Sequence, residues 1–517
     1  MGRVAQQLEL PRWLSTARLP VAAFFLIFVA WPVGLVAVAA WDGPGSGPRV
    51  DLLGSVTLIS AGQATLSAVL TVVCGLPLTL LVSRRDFPAK RLLSALVLLP
   101  FLLPTVVTGL ALRQSVGEWL PDGLLLVVLA HAFVNLAVVV RLVGPVAAVV
   151  DERFSQVAES LGARKRELVA TVWWPALRAP ILAASAVVWV YCFSSLGLML
   201  LLGGGLQTLD TLLLRQVGLL LDFKAAAATA LLQFIAVSAV LLCSTRMARG
   251  PSRYRGAARP RTLAARWRWL PFALAALFAM PLISLVMSSF SGVESWTAQW
   301  WSDLLRSSSP VVPAGLSAPL LRSVVTAMAA GAIAASLALM IALSVIAGRR
   351  GVARLSVLPM GISSVTLGLG LLLAASRLPL NALPRSLLLP LAHVVFALPL
   401  VSALVLPVLR SADPRLLLLA RSLGAESSRA LLTAYGPVLR RIGATAFTLA
   451  AAVSLGEYGA ASFLTSADGP TLPVEVMRLL SRPGAANLGT AAALSLVLGV
   501  TAAALFAAAD RSERRSL

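Results

Sequence analysis

Long apolar segments alternate with short polar segments along nearly the whole chain. Most apolar segments contain the roughly 20 residues that an α-helix needs to cross about 30 Å of hydrocarbon. The pattern predicts about twelve membrane-spanning helices, at residues 20–40, 58–82, 92–112, 123–147, 179–202, 225–245, 270–290, 321–347, 355–376, 386–408, 441–464 and 486–509. The predicted fold class is therefore an all-α polytopic membrane protein.

The composition is that of a protein whose main solvent is lipid. Of its 517 residues, 58% are hydrophobic and 12% are charged, whereas a soluble domain carries about 25% charged residues. The first apolar segment contains Trp31 and Pro32 and lacks a clear small-residue cleavage site, so we expect a retained helix rather than a signal peptide. Cys74, Cys192 and Cys243 fall in apolar segments, at spacings that match no disulfide or metal site.

The basic residues are distributed unevenly along the chain. A formal net charge of +22 could indicate a nucleic-acid partner. However, 33 of the 43 Lys and Arg residues fall in alternate polar segments, which are the cytoplasmic ones if the N-terminus is cytoplasmic. This asymmetry follows the positive-inside rule for membrane proteins. We therefore expect a multi-pass protein of the inner (cytoplasmic) membrane with both termini cytoplasmic, in contact with membrane lipid and without a nucleic-acid partner.

The chain repeats itself at a constant spacing of 262 residues. This spacing relates the two histidines, His131 and His393, and a series of Gly, Pro, Asp, Arg and Ala positions that follow them. Such duplication predicts two transmembrane halves, 1–245 and 270–517, joined by a basic cytoplasmic linker at 246–269. Because each half has an even number of predicted spans, the two six-helix repeats enter the membrane from the same side and are parallel.

Two polar segments share the same pattern of Gly and Pro positions. Residues 151–178 and 413–440 each contain Ser-Leu-Gly-Ala and a Pro thirteen residues after the Gly. In the first loop, Asp151 can cap a short helix, Gly162 can end it with a positive φ, and Pro175 marks the entry into the next span. The pattern predicts a helix–turn–helix elbow on the cytoplasmic side of each half. An ordinary basic loop is the alternative, which two loops at matched spacing disfavour.

These two segments resemble the EAA loop of ABC importer permeases, in which a Gly is followed thirteen residues later by a Pro, and they are called the coupling loops below for the role that this resemblance implies. The three positions that name that motif keep only the last residue, Ala158 in the first loop and Ala420 in the second. The resemblance implies that each loop forms a coupling helix that docks in a groove of an ATPase subunit. The residues to which it assigns this coupling are Ala158, Ser160, Leu161, Gly162, Ala163 and Pro175, and Ala420, Ser422, Leu423, Gly424, Ala425 and Pro437.

Three longer segments, 131–142, 192–216 and 454–480, are similar to the fused two-repeat permeases for thiamine and ferric iron. The Gly-rich run before Gln207 and Thr208 is closer to the thiamine permeases, and it could form an outer turn that touches the solute or its carrier. A flexible loop is the alternative. The resemblance implies an ATPase partner, expected as a homodimer, and an extracytoplasmic substrate-binding protein. It also implies that ATP and Mg are bound by the ATPase and that this chain has no cofactor.

The sequence carries no enzyme signature. A phosphate-binding P-loop needs Gly-Lys-Ser/Thr, and none of Lys90, Lys165 and Lys224 follows a Gly. The HExxH, CxxC and GxSxG patterns are absent as well. We therefore predict no catalytic residue and no metal site in this chain, and we expect ATP hydrolysis in a separate subunit.

Four further polar residues within the predicted spans are candidates for the solute path. His131 and His393 could bind a ligand or sense protons, although hydrogen bonding of each within its own half is the favoured alternative. An ionisable residue in a span is expensive, so Glu457, with Tyr458 beside it, could serve a cation pathway or an outer gate. A structural hydrogen bond from Glu457 to a neighbouring helix explains its presence equally well.

The leading hypothesis is the membrane subunit of an ABC importer for a small solute. Thiamine is favoured over ferric iron because Glu457, Tyr458 and nearby rings suit an organic cation, and no ligand set suits bare Fe(III). A ferric-iron permease, an ion-coupled twelve-helix secondary transporter and a non-transporting membrane scaffold remain alternatives. Ion coupling would explain Glu457 and both histidines but not the duplicated elbows.

Overall fold

The computed structural model describes residues 16–150, 152–247, 261–292, 295–306, 311–312, 315–349, 351–356, 358–377, 385–465 and 469–514. These residues form two compact units, named here after the coupling loop that each contains. The first-loop unit comprises Pro48–Leu212 and Leu232–Ser288. The second-loop unit comprises the described residues of Met1–Gly47, Leu213–Leu231 and Ser289–Leu517.

Helices dominate both units. The first-loop unit contains Val50–Arg84, Lys90–Leu102, Thr105–Val116, Leu124–Val149, Glu152–Ser160, Lys165–Leu168, the π-turn Val169–Trp173, Trp174–Phe193, Leu196–Leu202, the 3-10 turn Ala265–Trp267 and Leu270–Ser288. The second-loop unit contains Arg18–Phe25, the π-turn Leu26–Ala30, Trp31–Asp42, Gln299–Leu305, Ser317–Ile346, Val352–Leu355, the 3-10 turn Leu358–Gly361, Ser364–Arg377, Arg385–Ser411, Pro414–Ser422, Ser427–Leu455, Ala461–Leu464, Leu472–Leu480 and Ala485–Arg514. Leu209–Gly218 and Phe223–Met247 continue through the division between the units.

Within the described residues, ten helices are long and apolar enough to cross a membrane. Two further helix pairs, each bent at a short break, bring the number to twelve if each pair is one span. Pairing of strands is confined to a two-residue parallel ladder between Arg85–Asp86 and Arg261–Thr262 and a bridge between Ser291 and Trp296, again among the described residues. The predicted all-α polytopic class is confirmed.

The predicted span 92–112 is a bent pair rather than one straight helix. Lys90–Leu102 meets Thr105–Val116 at 113°. The residue between them that precedes Pro104 is Leu103, which is extended, with ψ 148°. The ring of a proline excludes the α conformation for the residue before it, so the helix must stop there.

The predicted span 355–376 is also a bent pair. Val352–Gly361 and Ser364–Arg377 meet at 101°. At the start of the second helix, the Ser363 hydroxyl accepts a hydrogen bond from the Thr366 N–H over 3.1 Å. This cap satisfies one of the amides that a new helix leaves without an intrahelical partner.

The predicted spans 179–202 and 441–464 begin and end earlier than expected. The continuous helical segment of the first ends at Phe193, and the helix of the second ends at Leu455. A break and a short helix follow in each case, Leu196–Leu202 and Ala461–Leu464. Apolar residues continue through both breaks, so hydropathy alone could not locate them.

Small and hydroxyl-bearing residues allow close helix packing in both units. In the first-loop unit, Val50–Arg84 lies against Leu124–Val149, and a Cβ at Gly75 would be 2.9 Å from the Cβ of Val139. In the second-loop unit, a Cβ at Gly331 would be 2.9 Å from the Phe447 carbonyl oxygen. Without a hydrophobic drive between helices in lipid, such close backbone approach supplies much of the packing energy.

The compact units and the sequence repeats divide the chain differently. In the second-loop unit, Trp31–Asp42 packs on Ser364–Arg377, and a Cβ at Gly370 would be 2.9 Å from Pro32. In the first-loop unit, Leu270–Ser288 packs on Thr105–Val116. The units group residues by packing and the repeats by similar sequence, so the repeat and linker boundaries stay a prediction.

Candidate functional site

The first coupling loop contains a helix that ends in a tight glycine turn. Glu152–Ser160 is followed by Gly162, whose φ is +83°. The Gly162 N–H donates to the Glu159 carbonyl over 2.9 Å, and the Ala163 N–H donates to the Ala158 carbonyl over 3.0 Å. This pair of hydrogen bonds is the Schellman arrangement, which satisfies the last carbonyls of a helix.

The second coupling loop has the same arrangement 262 residues later. Pro414–Ser422 is followed by Gly424, whose φ is +84°. The Gly424 N–H donates to Arg421 over 2.9 Å, and the Ala425 N–H donates to Ala420 over 3.1 Å. Each helix with its turn, Glu152–Ala163 or Pro414–Ala425, is called an elbow below.

The caps that begin the two elbow helices can be described in only one loop. The Asp413 carboxylate accepts a hydrogen bond from the Arg415 N–H over 2.9 Å, and Pro414 occupies the first helical position. Both features are typical of helix starts. Asp151, the expected cap of the first elbow, lies outside the described residues.

Each elbow turns two alanines inward, and Leu161 and Leu423 are its most exposed large apolar residues among those described. Ala158 and Ala163 pack on a cluster that includes Leu168 and Val172, and Ala420 and Ala425 pack in the same way in the second loop. Leu161 is 82% exposed and Leu423 is 80% exposed. The inward packing explains why the third Ala of the motif is kept in both loops.

The polar atoms at the tip of each elbow already have partners. The hydroxyls of Ser160 and Ser422 donate to Val157 and Leu419, each over 2.8 Å. A Cβ at Gly162 or Gly424 would meet nothing within 4 Å, so positive φ alone favours glycine there. The outer surface of each elbow is therefore an apolar tip on a fixed turn, suited to being covered by another protein.

Pro175 does not mark the entry into the next span, contrary to the expectation from the sequence, because it lies inside the helical segment Arg166–Phe193. The helical segment after the first elbow runs from Lys165 to Phe193 through the π-turn Val169–Trp173. The Trp174 N–H donates to Val169, five residues back, a looser turn beside a proline that cannot donate. In the second loop, Ser427–Leu455 continues through Pro437.

Arg84 anchors the entry to the first elbow, and the sequence reasoning missed it. Its guanidinium donates to Ala147 over 3.1 Å and to Val150 over 3.0 Å, at the end of Leu124–Val149. The same group lies 4.6 Å from the ring centroid of Trp173. A cation at a helix carboxyl end and over an indole face is stabilising. An Arg at the end of a long apolar segment was the available signal.

The two histidines occupy different polar surroundings. His131 is buried, with Nδ1 3.4 Å from the Ser67 hydroxyl. His393 is also buried, with Nδ1 2.7 Å from the Ser454 hydroxyl. Its Nε2 lies 3.3 Å from the Oε2 atom of Glu457. Each histidine thus has partners within its own unit, and a role in the solute path stays a prediction.

The remaining path candidates lie in or near turns. Glu457 and Tyr458 fall in the break after Ser427–Leu455, and the Tyr458 carbonyl accepts from the Ser462 N–H over 2.8 Å. Gln207 is partly buried and Thr208 is buried, and the Thr208 N–H donates to the Thr211 hydroxyl over 2.8 Å. Among the described residues, no group of three His, Cys, Asp or Glu side chains could hold a metal ion.

These features define a polytopic membrane protein with two matched elbows. The family profile described as binding-protein-dependent transport system inner membrane component matches residues 72–249, which include the first coupling loop. A molybdenum transport system permease protein, ModB of Mycobacterium bovis, is 31% identical over 255 residues, covering 45% of this chain and 93% of that protein. The chain belongs to this family of ABC importer permeases.

Other relatives share the two-repeat length. The thiamine transport system permease protein ThiP of Brucella abortus (strain 2308) is 27% identical over 545 residues, covering 96% of each chain. ThiP of Escherichia coli (strain K12) is 31% identical over 265 residues, covering 46% of this chain and 48% of that protein. Iron transport gains no support from these relatives.

Family membership fixes the general biology of the chain. It is an inner-membrane, multi-pass permease and a non-catalytic transport subunit. Permeases of this family work with an ATPase and with a substrate-binding protein. No cofactor is expected in a permease chain of this family.

Proposed function

We propose that this permease carries thiamine, delivered by an extracytoplasmic binding protein. The main support for this proposal is the similarity to a thiamine permease over 96% of both chains. The Gly-rich turn at 203–205, followed by Gln207 and Thr208, fits the same assignment. Selectivity would lie mainly in the binding protein.

The two elbows are the proposed contacts with the ATPase, one on each copy of a homodimer. Leu161 and Leu423 would enter grooves of the two copies, while the Schellman turns hold them in place. ATP binding would draw the two ATPase copies together and move both elbows. The elbows, and with them both chain termini, would then be cytoplasmic. Activity of a C-terminal reporter enzyme that works only outside the cytoplasm would contradict this orientation.

Uptake of labelled solutes tests the assignment. Cells that lack their own thiamine importer would express the permease with its ATPase and binding protein, and a Gly162→Val, Gly424→Val permease would be the control. We expect thiamine uptake with the wild type only, and no change in molybdate or ferric-iron uptake. Uptake of molybdate or iron without uptake of thiamine would show that the transported solute is that ion and not thiamine. Uptake that persists without the ATPase would favour the ion-coupled alternative.

A further inference from the structure

The carboxylate of Glu457 is enclosed by protein in the non-helical segment between two helices. Ser427–Leu455 ends just before it, and Ala461–Leu464 begins just after it. Oε1 accepts a hydrogen bond from the Ala460 N–H and Oε2 accepts one from the Ala461 N–H, each over 3.2 Å. The Glu457 side chain is only 8% exposed. A buried carboxylate is costly unless it is paired, so these contacts are what stabilises it there.

His393 connects this carboxylate to a second helix. It lies on Arg385–Ser411, with Nε2 3.3 Å from Glu457 Oε2, within ion-pair range but not aligned as a hydrogen bond. The other ring nitrogen is fixed by the Ser454 hydroxyl at 2.7 Å. Ser454 is on the last turn of Ser427–Leu455. The three side chains therefore tie the end of one helix, the break and a neighbouring helix together.

Tight glycine contacts press the same break against Ser364–Arg377. A Cβ at Gly459 would overlap the Ser364 hydroxyl oxygen. A Cβ at Gly368 would lie 3.0 Å from the Cα of Ala460. The segment around Glu457 thus has little space to shift without disturbing the helices on both sides.

The first half contains the glycine contacts but not the charged link. A Cβ at Gly197 would lie 2.8 Å from the Thr105 hydroxyl oxygen. Ser195, 262 residues before Glu457, precedes Leu196–Leu202 and makes no capping hydrogen bond with its side chain. The first-half histidine, His131, has as its neighbour the hydroxyl of Ser67 on Val50–Arg84, 3.4 Å from Nδ1. The first half is therefore a natural control for the second.

We propose that Glu457 is a positioning residue that acts through His393 to fix the far end of the helix that begins at the second elbow. That helix, Ser427–Leu455, starts two residues after Ala425 and is continuous to the break. The contacts of Glu457 with His393, Ala460 and Ala461 are called the brace below. Resting on the proposed coupling role of the elbow, the inference is that the brace transmits movement of the elbow to residues 456–464, because the turn there cannot deform and absorb it. The first half lacks the brace, so the two halves respond unequally.

Amide hydrogen exchange of the purified full-length chain tests the brace without solute or ATPase. In Glu457→Gln and in His393→Gln, we expect the Ala460 and Ala461 amides to exchange about tenfold faster, because charge-assisted hydrogen bonds are lost or loosened. The double variant should be no faster than Glu457→Gln, since both changes remove one linked unit. Ser454→Ala, a milder change in case the others fail to fold, should give a smaller increase in the same amides.

His131→Gln is the matched control, and it should leave the Leu198 and Met199 amides, 262 residues before Ala460 and Ala461, within about twofold of wild type. Unchanged exchange at Ala460 and Ala461 in Glu457→Gln would overturn the brace, as would acceleration in Glu457→Gln with none in His393→Gln.

In reconstituted complexes, Glu457→Gln should lower maximal thiamine uptake per ATP hydrolysed and leave the half-saturating thiamine concentration unchanged. A raised half-saturating concentration with normal exchange would make Glu457 a solute ligand instead. If thiamine is not the solute, the exchange result still stands by itself.

Discussion

Replacing Leu161 and Leu423 with alanine should weaken binding of the ATPase subunit without destabilising the permease. Both side chains are at least 80% exposed, so the isolated permease gains little from them. A change at such a surface position usually alters the free energy of unfolding by less than about 0.5 kcal/mol. The loss should therefore appear in the complex and not in the melting temperature of the permease.

The expected magnitude follows from the area that a partner could cover. Leu→Ala removes three carbons, worth about 0.8 kcal/mol each when buried. With four-fifths of the side chain available for burial, each replacement should cost about 2 kcal/mol of binding free energy, or roughly 30-fold in Kd. Because the two elbows would contact separate ATPase copies, the two losses should add.

Binding of the purified ATPase to permease in lipid nanodiscs would measure this effect. Leu219→Ala and Leu305→Ala are matched controls, because these side chains are 77% and 75% exposed on segments predicted to face the other side of the membrane. Neither control should change Kd by more than about twofold. If the double elbow variant binds as tightly as wild type, or if the controls weaken binding equally, the exposed leucines are not the contact.

Two other changes test local geometry. Gly162→Val with Gly424→Val places a β-branched residue at positive φ, which costs roughly 1 kcal/mol or more per site, and should abolish ATPase pull-down while membrane insertion persists; Gly→Asn at both sites, which tolerates this conformation, should retain binding. Partial burial raises the pKa of Asp222, but hydrogen bonds from Ala225, Ser46 and Gly47 outweigh it and hold the pKa below the ordinary 3.8. A depressed carboxylate pKa stabilises the fold above the ordinary value and ceases to do so as pH falls through the lowered one. The melting temperature of Asp222→Asn should thus lie below wild type at pH 6, and the gap should narrow as the pH falls below 3.8 and close once it is below the lowered pKa. A gap that does not narrow below pH 3.8 would contradict the assignment.

The elbows could be predicted because their determinants are local. A glycine that ends a helix and a proline thirteen residues later can be read from one short segment, and their repetition at a spacing of 262 residues singles them out. The exposure of Leu161 and Leu423 could not be read in the same way. It depends on which face of each elbow packs on the helix that follows, and this packing is tertiary.

Membrane spans were predictable in number but not in shape. An average over about twenty residues detects apolar length, whereas the breaks at Leu103 and Ser363 depend on a single proline and a single capping hydroxyl. The packing of Trp31–Asp42 on Ser364–Arg377 was likewise invisible, because every apolar face in such a chain looks suitable for every other.

Glu457 shows where reasoning from sequence reaches its limit. Its position within an apolar segment marked it as expensive, which left a solute path and a structural hydrogen bond equally plausible. The structure adds partners that are distant in sequence, since His393 precedes Glu457 by 64 residues and is fixed in turn by Ser454. With two backbone amides and an imidazole around it, the carboxylate has contacts that a passing cation would have to displace. A carboxylate with these contacts is better suited to hold a turn than to bind a solute, and under the proposed role this single acidic side chain would make the two halves respond unequally.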